Sequence, residues 1–231
     1  MPKVNEDYFS AKRKYILDSA YAVATSKPVH EVSMRDIISE SGLSQGGIYR
    51  YFSNIDEIFI TLVNSGSDAV SLGEDIDKVL LLDEHPEKIL MRLFFIWKRI
   101  TLDQILGVGK IYFELSILYA NDKKRLANFM DNCLIVKEEA LFQEKAFGYI
   151  SKKLGEGYFS PLLPVDEIIR YLFASLDGII RDSILAYHYQ VNDAFQIANE
   201  WNTDKLVQSA CTAFILLLGG NPDFIPKGEI K

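Results

Sequence analysis

The sequence predicts an all-α fold: a small helix-turn-helix head followed by a larger helical body. Three observations carry this. Residues 32–52, VSMRDIISESGLSQGGIYRYF, hold two helix starts and one helix stop. Apolar residues continue at helical spacing toward the C-terminus, while strand signals are nearly absent. The chain closes on two strongly apolar stretches of helical length, residues 165–189 and 203–218.

The head is read from its caps. Ser33 is a helix N-cap, and Asp36 stands three residues later, where a capping-box carboxylate reaches back to the free N–H of the cap. Val32 and Ile37 have the spacing of a hydrophobic staple. Gly42 stops the helix, because glycine adopts the left-handed conformation without steric cost. Leu43, cap Ser44 and Ile48 then repeat the pattern for a second helix over 44–51. Two such helices are either core helices joined by a tight turn or a helix-turn-helix whose second member enters a DNA major groove. Ile48 and Phe52 share a face that packs back onto the domain. Gly46, Gly47, Arg50 and Tyr51 fall on the opposite arc, which packing does not explain. Two glycines inside so short a helix cost ~1 kcal/mol each relative to alanine, and close approach of DNA to the backbone accounts for them.

The body follows in order. Asn54 caps a helix with Asp56 and Glu57 in its first turn, and Ile58, Leu62 and Val63 carry it to about residue 70 as a link from head to body. Residues 71–84 form one short helix with a bend. Pro86 suits a first helical position and opens PEKILMRLFFIWKRIT. Gly107 and Gly109 mark a break before KIYFELSILYAN. Residues 122–155 read as one long helix, with Leu126, Phe129, Met130, Cys133, Leu134 and Val136 toward a core. Its solvated face is Glu138, Glu139, Lys145, Lys152 and Lys153. GEGYFSPLLP is a loop. The two closing helices are apolar around much of their circumference, so they are central in their domain or covered by a partner.

Composition is that of an ordinary globular protein: 231 residues, 48% hydrophobic and 25% charged. The apolar run Ala210–Gly220 falls short of the ~20 residues of a bilayer span, and the N-terminus lacks the apolar core of a secretory signal. Cys133 and Cys211, with no histidine near, argue against a disulfide framework or a zinc site and fit a reducing cytoplasm. The net charge of −7 is uneven: residues 1–52 hold seven Lys and Arg against six acids, leaving −8 for the remainder. A near-neutral head binds DNA through a few placed cations, hydroxyls and helix N-termini, and dimerisation is needed to double its contacts.

The string Ser33, Arg35, Gly42, Ser44, Gly46, Tyr49, Phe52 resembles the DNA-binding domain of the TetR family of bacterial transcriptional regulators, and residues 13–27 resemble its first helix. The resemblance implies a three-helix DNA-binding domain over 1–54 and a ligand-binding and dimerisation domain over 55–231. It further implies a ligand-responsive regulator, most simply a repressor, that binds a palindromic double-stranded operator as a homodimer. The subunits would pair through helices 165–189 and 203–219, and a small lipophilic effector would release the DNA.

The same resemblance implies DNA contacts from Ser33, Arg35, Ser44, Gln45, Gly46, Gly47, Tyr49, Arg50 and Tyr51. Ser33 and Ser44 would cap and donate to phosphate. Arg35 would read guanine and Gln45 adenine. Tyr49 and Tyr51 would touch the backbone, while Arg50 suits base or phosphate. Trp97, Tyr112, Phe113, Glu114, Leu118 and Asp177 lie on helices that surround the family's effector pocket, although aromatics at this spacing also serve as plain core. Two departures reduce the contacts: Ile55 stands where the family often holds a phosphate-binding lysine, and Gly47 where it often has a base-facing side chain.

No enzyme is predicted, and no metal or cofactor. His30, His85 and His188 have no metal-ligand spacing, Gly107-Val108-Gly109 lacks the third glycine of a dinucleotide fingerprint, and Glu138-Glu139 looks solvated. The rival class is an apolar-ligand carrier or scaffold with a weakened DNA-binding head.

Overall fold

The order of helix starts and stops in the chain is carried into a computed structural model that describes residues 6–65, 72–189 and 202–225, and no strand occurs among them. The helices are α1 (Glu6–Ser26), α2 (Met34–Ser41), α3 (Gln45–Tyr49), α4 (Ile55–Asn64), α5 (Leu72–Leu80), α6 (Pro86–Trp97), α7 (Gln104–Ala120), α8 (Lys123–Asn132), α9 (Leu134–Gly155), α10 (Val165–His188) and α11 (Thr203–Leu217). Lys98–Asp103 is a π-helical turn leading from α6 into α7. No helix among the described residues is long and apolar enough to cross a membrane.

Two compact units result, Met1–Ser67 with Val108–Leu134, and Asp68–Gly107 with Ile135–Lys231. In the first, Ile16, Ala20 and Ala24 of α1 are buried together with Ile37 of α2, Ile48 of α3, and Ile58, Phe59, Leu62 and Val63 of α4. Ile111, Leu115 and Tyr119 of α7 and Phe129 of α8 are buried in the same unit. Polar groups fix this part of α7 and α8 to the head helices. Lys110 Nζ donates to the carbonyls of Ala24 and Lys27, each at 2.7 Å, at the C-terminal end of α1, where free carbonyls favour a cation. Glu114 accepts from the Val29 amide and pairs with Lys110 at 3.2 Å. Asp56, in the first turn of α4, accepts from the Tyr119 hydroxyl at 2.8 Å and from both forks of Arg125, whose guanidinium also lies over the Tyr119 ring at 4.6 Å. Burial, then the Asp56 carboxylate, push the Tyr119 hydroxyl well above its ordinary pKa.

The second unit has its own core, drawn from α5, α6, α9, α10 and α11, with Leu90, Met91, Trp97, Ile150, Leu172, Leu176, Phe214 and Ile215 inside. The Glu87 carboxylate on α6 is fully buried there. It accepts from the Tyr158 hydroxyl at 2.9 Å and the Asn221 amide at 2.8 Å, so a charge that would otherwise be costly has two donors.

Five sequence expectations are corrected. Gly107 and Gly109 do not break the chain: α7 runs through both, and the irregularity sits upstream, in the π turn. The helix expected over 122–155 is two, because Cys133 is extended and buried. Asn64 supports that break from α4, donating to the Asn132 carbonyl at 2.9 Å and accepting from the Leu134 amide at 2.8 Å. Met130, expected in a core, is exposed, and Glu138, expected in solvent, is buried. The link helix ends at Asn64, with residues 66–71 outside the described chain.

Candidate nucleic-acid interface

The turn between α2 and α3 forms as its residues dictate. Ser33 Oγ and the Asp36 carboxylate make the reciprocal capping box. Gly42 ends α2 at φ 64°, the left-handed region. Ser44 caps α3, its Oγ accepting from the Gly47 amide at 3.1 Å, and Val32, Ile37 and Ile48 are buried. Tyr15 of α1 donates its hydroxyl to the Ser41 carbonyl at 2.9 Å, so the last turn of α2 is held from outside as well. The second helix is shorter than the expected 44–51. α3 closes at Tyr49, and the amides of Tyr51 and Phe52 both bond the Ile48 carbonyl to finish it as a turn.

The arc of α3 turned away from Ile48 is open. Gln45, Gly46, Tyr49 and Arg50 are exposed, and a Cβ placed on Gly46 would meet no atom within 4 Å. Gly47 is tighter: its Cβ would lie 3.2 Å from the capping Oγ of Ser44. Arg35 is exposed in the first turn of α2, and no described residue pairs with its guanidinium. Its five donors are therefore available to an external acceptor.

Two contact assignments change once side chains are in place. The Ser33 hydroxyl donates to Asp36 Oδ2 at 2.6 Å, and the Ser33 amide donates to the same oxygen at 2.7 Å. Lys27 adds an ion pair at 2.9 Å. The anion position at the start of α2 is thus filled by the chain's own carboxylate, and Ser33 has no proton left for phosphate. Ser44 differs, since its cap uses a lone pair and leaves the hydroxyl hydrogen for a partner. The second change concerns Tyr51, which packing does explain: it is half-buried, its ring 4.5 Å from that of Phe9 on α1.

Cations divide in the same way. Arg13 is half-buried and engaged within the domain, over the Phe52 ring at 4.5 Å and donating to Thr61 Oγ1 at 3.2 Å. Lys27 is spent on Asp36. Lys14, Arg35 and Arg50 remain exposed, and Lys12 lies over the Tyr15 ring at 5.4 Å. The exposed aromatics Tyr8, Phe9 and Tyr15 of α1 were missed by sequence reasoning. Their signal was present, as aromatics in the polar first half of the helix beside Lys12 and Lys14.

The Ser33 and Lys27 interactions, in that order, hold the Asp36 carboxyl down at about 2. A depressed folded-state pKa contributes stability that is complete above the ordinary carboxylate range and lost as pH falls through about 2. Asp36→Ala should therefore unfold at a lower temperature than the parent at neutral pH. The difference should persist at pH 4 and vanish near pH 2; a gap that closed already at pH 4 would contradict the capping geometry.

The six residues tied to an effector are not gathered within either unit. Tyr112, Phe113, Glu114 and Leu118 lie along α7 in the first, where Tyr112 packs on Phe129 at 5.9 Å and Glu114 holds Val29. In the second unit Trp97 is core and Asp177 is exposed on α10. Among the described residues no group of His, Cys, Asp and Glu could hold a metal ion.

Residues 16–62 match the domain family described as bacterial regulatory proteins, tetR family. The chain is 26% identical over 194 residues to the HTH-type transcriptional regulator YfiR of Bacillus subtilis, covering 79% of this chain and 85% of that one. It is 30% identical over 71 residues, 31% of this chain and 38% of the relative, to the HTH-type transcriptional repressor Rv1474c of Mycobacterium tuberculosis. GusR of Salmonella enterica shares the fold, with a TM-score of 0.53 at 16% identity, covering 94% of this chain and 98% of that one.

Proposed function

Because the chain belongs to the TetR family of bacterial transcriptional regulators, which are not enzymes, we propose that it represses transcription in the cytoplasm, binding a palindromic operator as a homodimer until a small lipophilic effector releases it. The observation that carries the reading is the open arc around Arg35, Gln45, Gly46 and Arg50, next to a turn whose every cap is satisfied. A rigid turn with exposed forked donors suits the base edges and flanking phosphates of a major groove. The repressor role is supported by the name of the Mycobacterium tuberculosis relative.

Dimerisation has its support in the second unit. Leu162, Leu163, Tyr171, Tyr187 and Leu216 are exposed on or beside α10 and α11. Gly178 of α10 is also open, with nothing within 4 Å of a Cβ placed on it, which suits close approach by a neighbouring helix. A two-fold pair places its recognition helices about one DNA turn apart, ~34–36 Å, or a multiple of it. An effector that binds the DNA-incompetent state more tightly then lowers operator affinity by that same preference.

The test is selection of bound fragments from random duplex DNA with the purified full chain. An inverted repeat should emerge, and compounds drawn from hydrophobic libraries should displace it in gel shifts. Absence of any enriched sequence would remove operator recognition and leave the carrier reading in its place.

A further inference from the structure

We propose that Phe9 of α1 is a positioning residue that holds Arg50 against the DNA backbone, making Arg50 a phosphate contact and not a base reader. The inference rests on the DNA-binding reading above and assigns within it a role that the sequence left open.

The geometry is a small aromatic–cation stack at the exit of α3. The Phe9 ring centroid lies 4.5 Å from that of Tyr51, with the planes tilted by 42°, and the Arg50 guanidinium carbon is 5.5 Å from the Phe9 centroid. Tyr51 is half-buried, and Phe9 and Arg50 are exposed. The adjoining layer repeats the pairing with a buried ring, where half-buried Arg13 of α1 lies over Phe52. α1 therefore meets the end of α3 through two consecutive arginine–aromatic contacts, of which the outer one has its cation exposed and the inner one has it half-buried and bonded to Thr61.

An arginine over a ring keeps its N–H donors directed outward in the guanidinium plane, where phosphate oxygens can accept them. The ring also limits the rotamers of a long side chain that would otherwise be mobile at a helix end. Position along α3 selects phosphate over base. Residues at the start of a recognition helix reach base edges. Arg50 lies five residues past Gln45, a displacement of about 7.5 Å along a helix rising ~1.5 Å per residue, comparable with the ~8.5 Å depth of the major groove. Arg50 is the C-cap of α3, so a helix whose N-terminal end points into the groove carries it toward the rim.

The experiment measures binding of the full chain to its selected operator and to an unrelated duplex of equal length, across a range of salt. Arg50→Ala should weaken both duplexes by the same factor, about three- to tenfold near 0.15 M salt. The slope of log affinity against log salt should become shallower by about 0.9 per subunit. Phe9→Ala should do the same, and adding it to Arg50→Ala should cost no more than twofold beyond the single variant. Phe9→Tyr, which retains the ring, should bind like the parent. Phe9→Leu packs on Tyr51 without an aromatic face and should behave like Phe9→Ala at an unchanged unfolding temperature, which separates the cation contact from simple packing. Multiplying losses in the double variant, or Arg50→Ala weakening the operator alone, would overturn the proposal while leaving DNA binding intact. A parent chain that bound neither duplex would instead remove the reading on which it rests.

Discussion

Gly219→Ala should destabilise the second unit by about 3 kcal/mol or more. Gly219 stands one residue beyond the C-cap of α11, at φ 82°. Its amide bonds the Leu216 carbonyl at 3.0 Å, and the Gly220 amide bonds the Ile215 carbonyl at 2.9 Å. These two bonds close the helix as a Schellman motif. A left-handed alanine alone costs ~1–2 kcal/mol. Here the added Cβ would also fall 2.1 Å from the carbonyl oxygen of Ser160 and 2.7 Å from its carbon. That neighbour is backbone and cannot rotate away. It is also held in place, because the Leu162 amide donates to the Leu217 carbonyl at 2.9 Å. Any shift is passed to Asn221, whose amide is one of the two donors to buried Glu87. Gly157→Ala is the control. Gly157 has φ 71° but open space around it, so only the conformational cost applies. Thermal unfolding should fall by about 6–12 °C for Gly219→Ala, taking ~2–4 °C per kcal/mol for a chain of this size, and by about one to two thirds of that for Gly157→Ala. Equal shifts would mean that the contact with Ser160 is relieved at no cost.

The features legible in the sequence are those decided within one helical turn. Ser33–Asp36, Gly42 and Ser44–Gly47 are local hydrogen bonds or local dihedral preferences, and all three appear where the residues place them. Pro86 opens α6 and Gly219 follows α11 for the same reason. What the sequence hides is set by distant partners. The break at Cys133 has no glycine or proline to announce it, since its freed backbone groups are satisfied by Asn64 on α4. The π turn before α7 likewise has no glycine or proline within it, and it moves the irregularity away from Gly107. At the candidate site, the exposure of Gly46 and Arg50 was legible by elimination, because no packing argument called for their burial, whereas Arg35 and Gln45 were singled out by the family resemblance. Tyr51 was misread for want of Phe9, forty-two positions upstream. Ser33 was misread because a capping box that is complete consumes the hydroxyl proton that a phosphate would need.

Arg35→Ala should weaken specific operator binding by ~1–3 kcal/mol per half-site and so by about twice that for a symmetric dimer. Non-specific binding should change little. The reason lies in what surrounds Arg35. It is exposed in the first turn of α2, directly after a cap closed by Ser33, Asp36 and Lys27. Asp36 already carries the negative charge that the amides at this helix start favour, with its carboxyl held at about 2, so it is ionised at any pH at which DNA is bound. A phosphate approaching this point meets that charge; a guanine edge, which is neutral, does not. Arg35 is therefore better placed to read O6 and N7 than to neutralise backbone, and its removal should leave the salt slope nearly unchanged. The contrast with Arg50 is the useful measurement. Arg35→Ala should lower the ratio of operator to unrelated-duplex affinity at constant slope, whereas Arg50→Ala should lower the slope at constant ratio. If Arg35→Ala instead reduced both affinities equally, the guanine assignment would fail, and Gln45 with Tyr49 would be the side chains left on this arc to supply specificity.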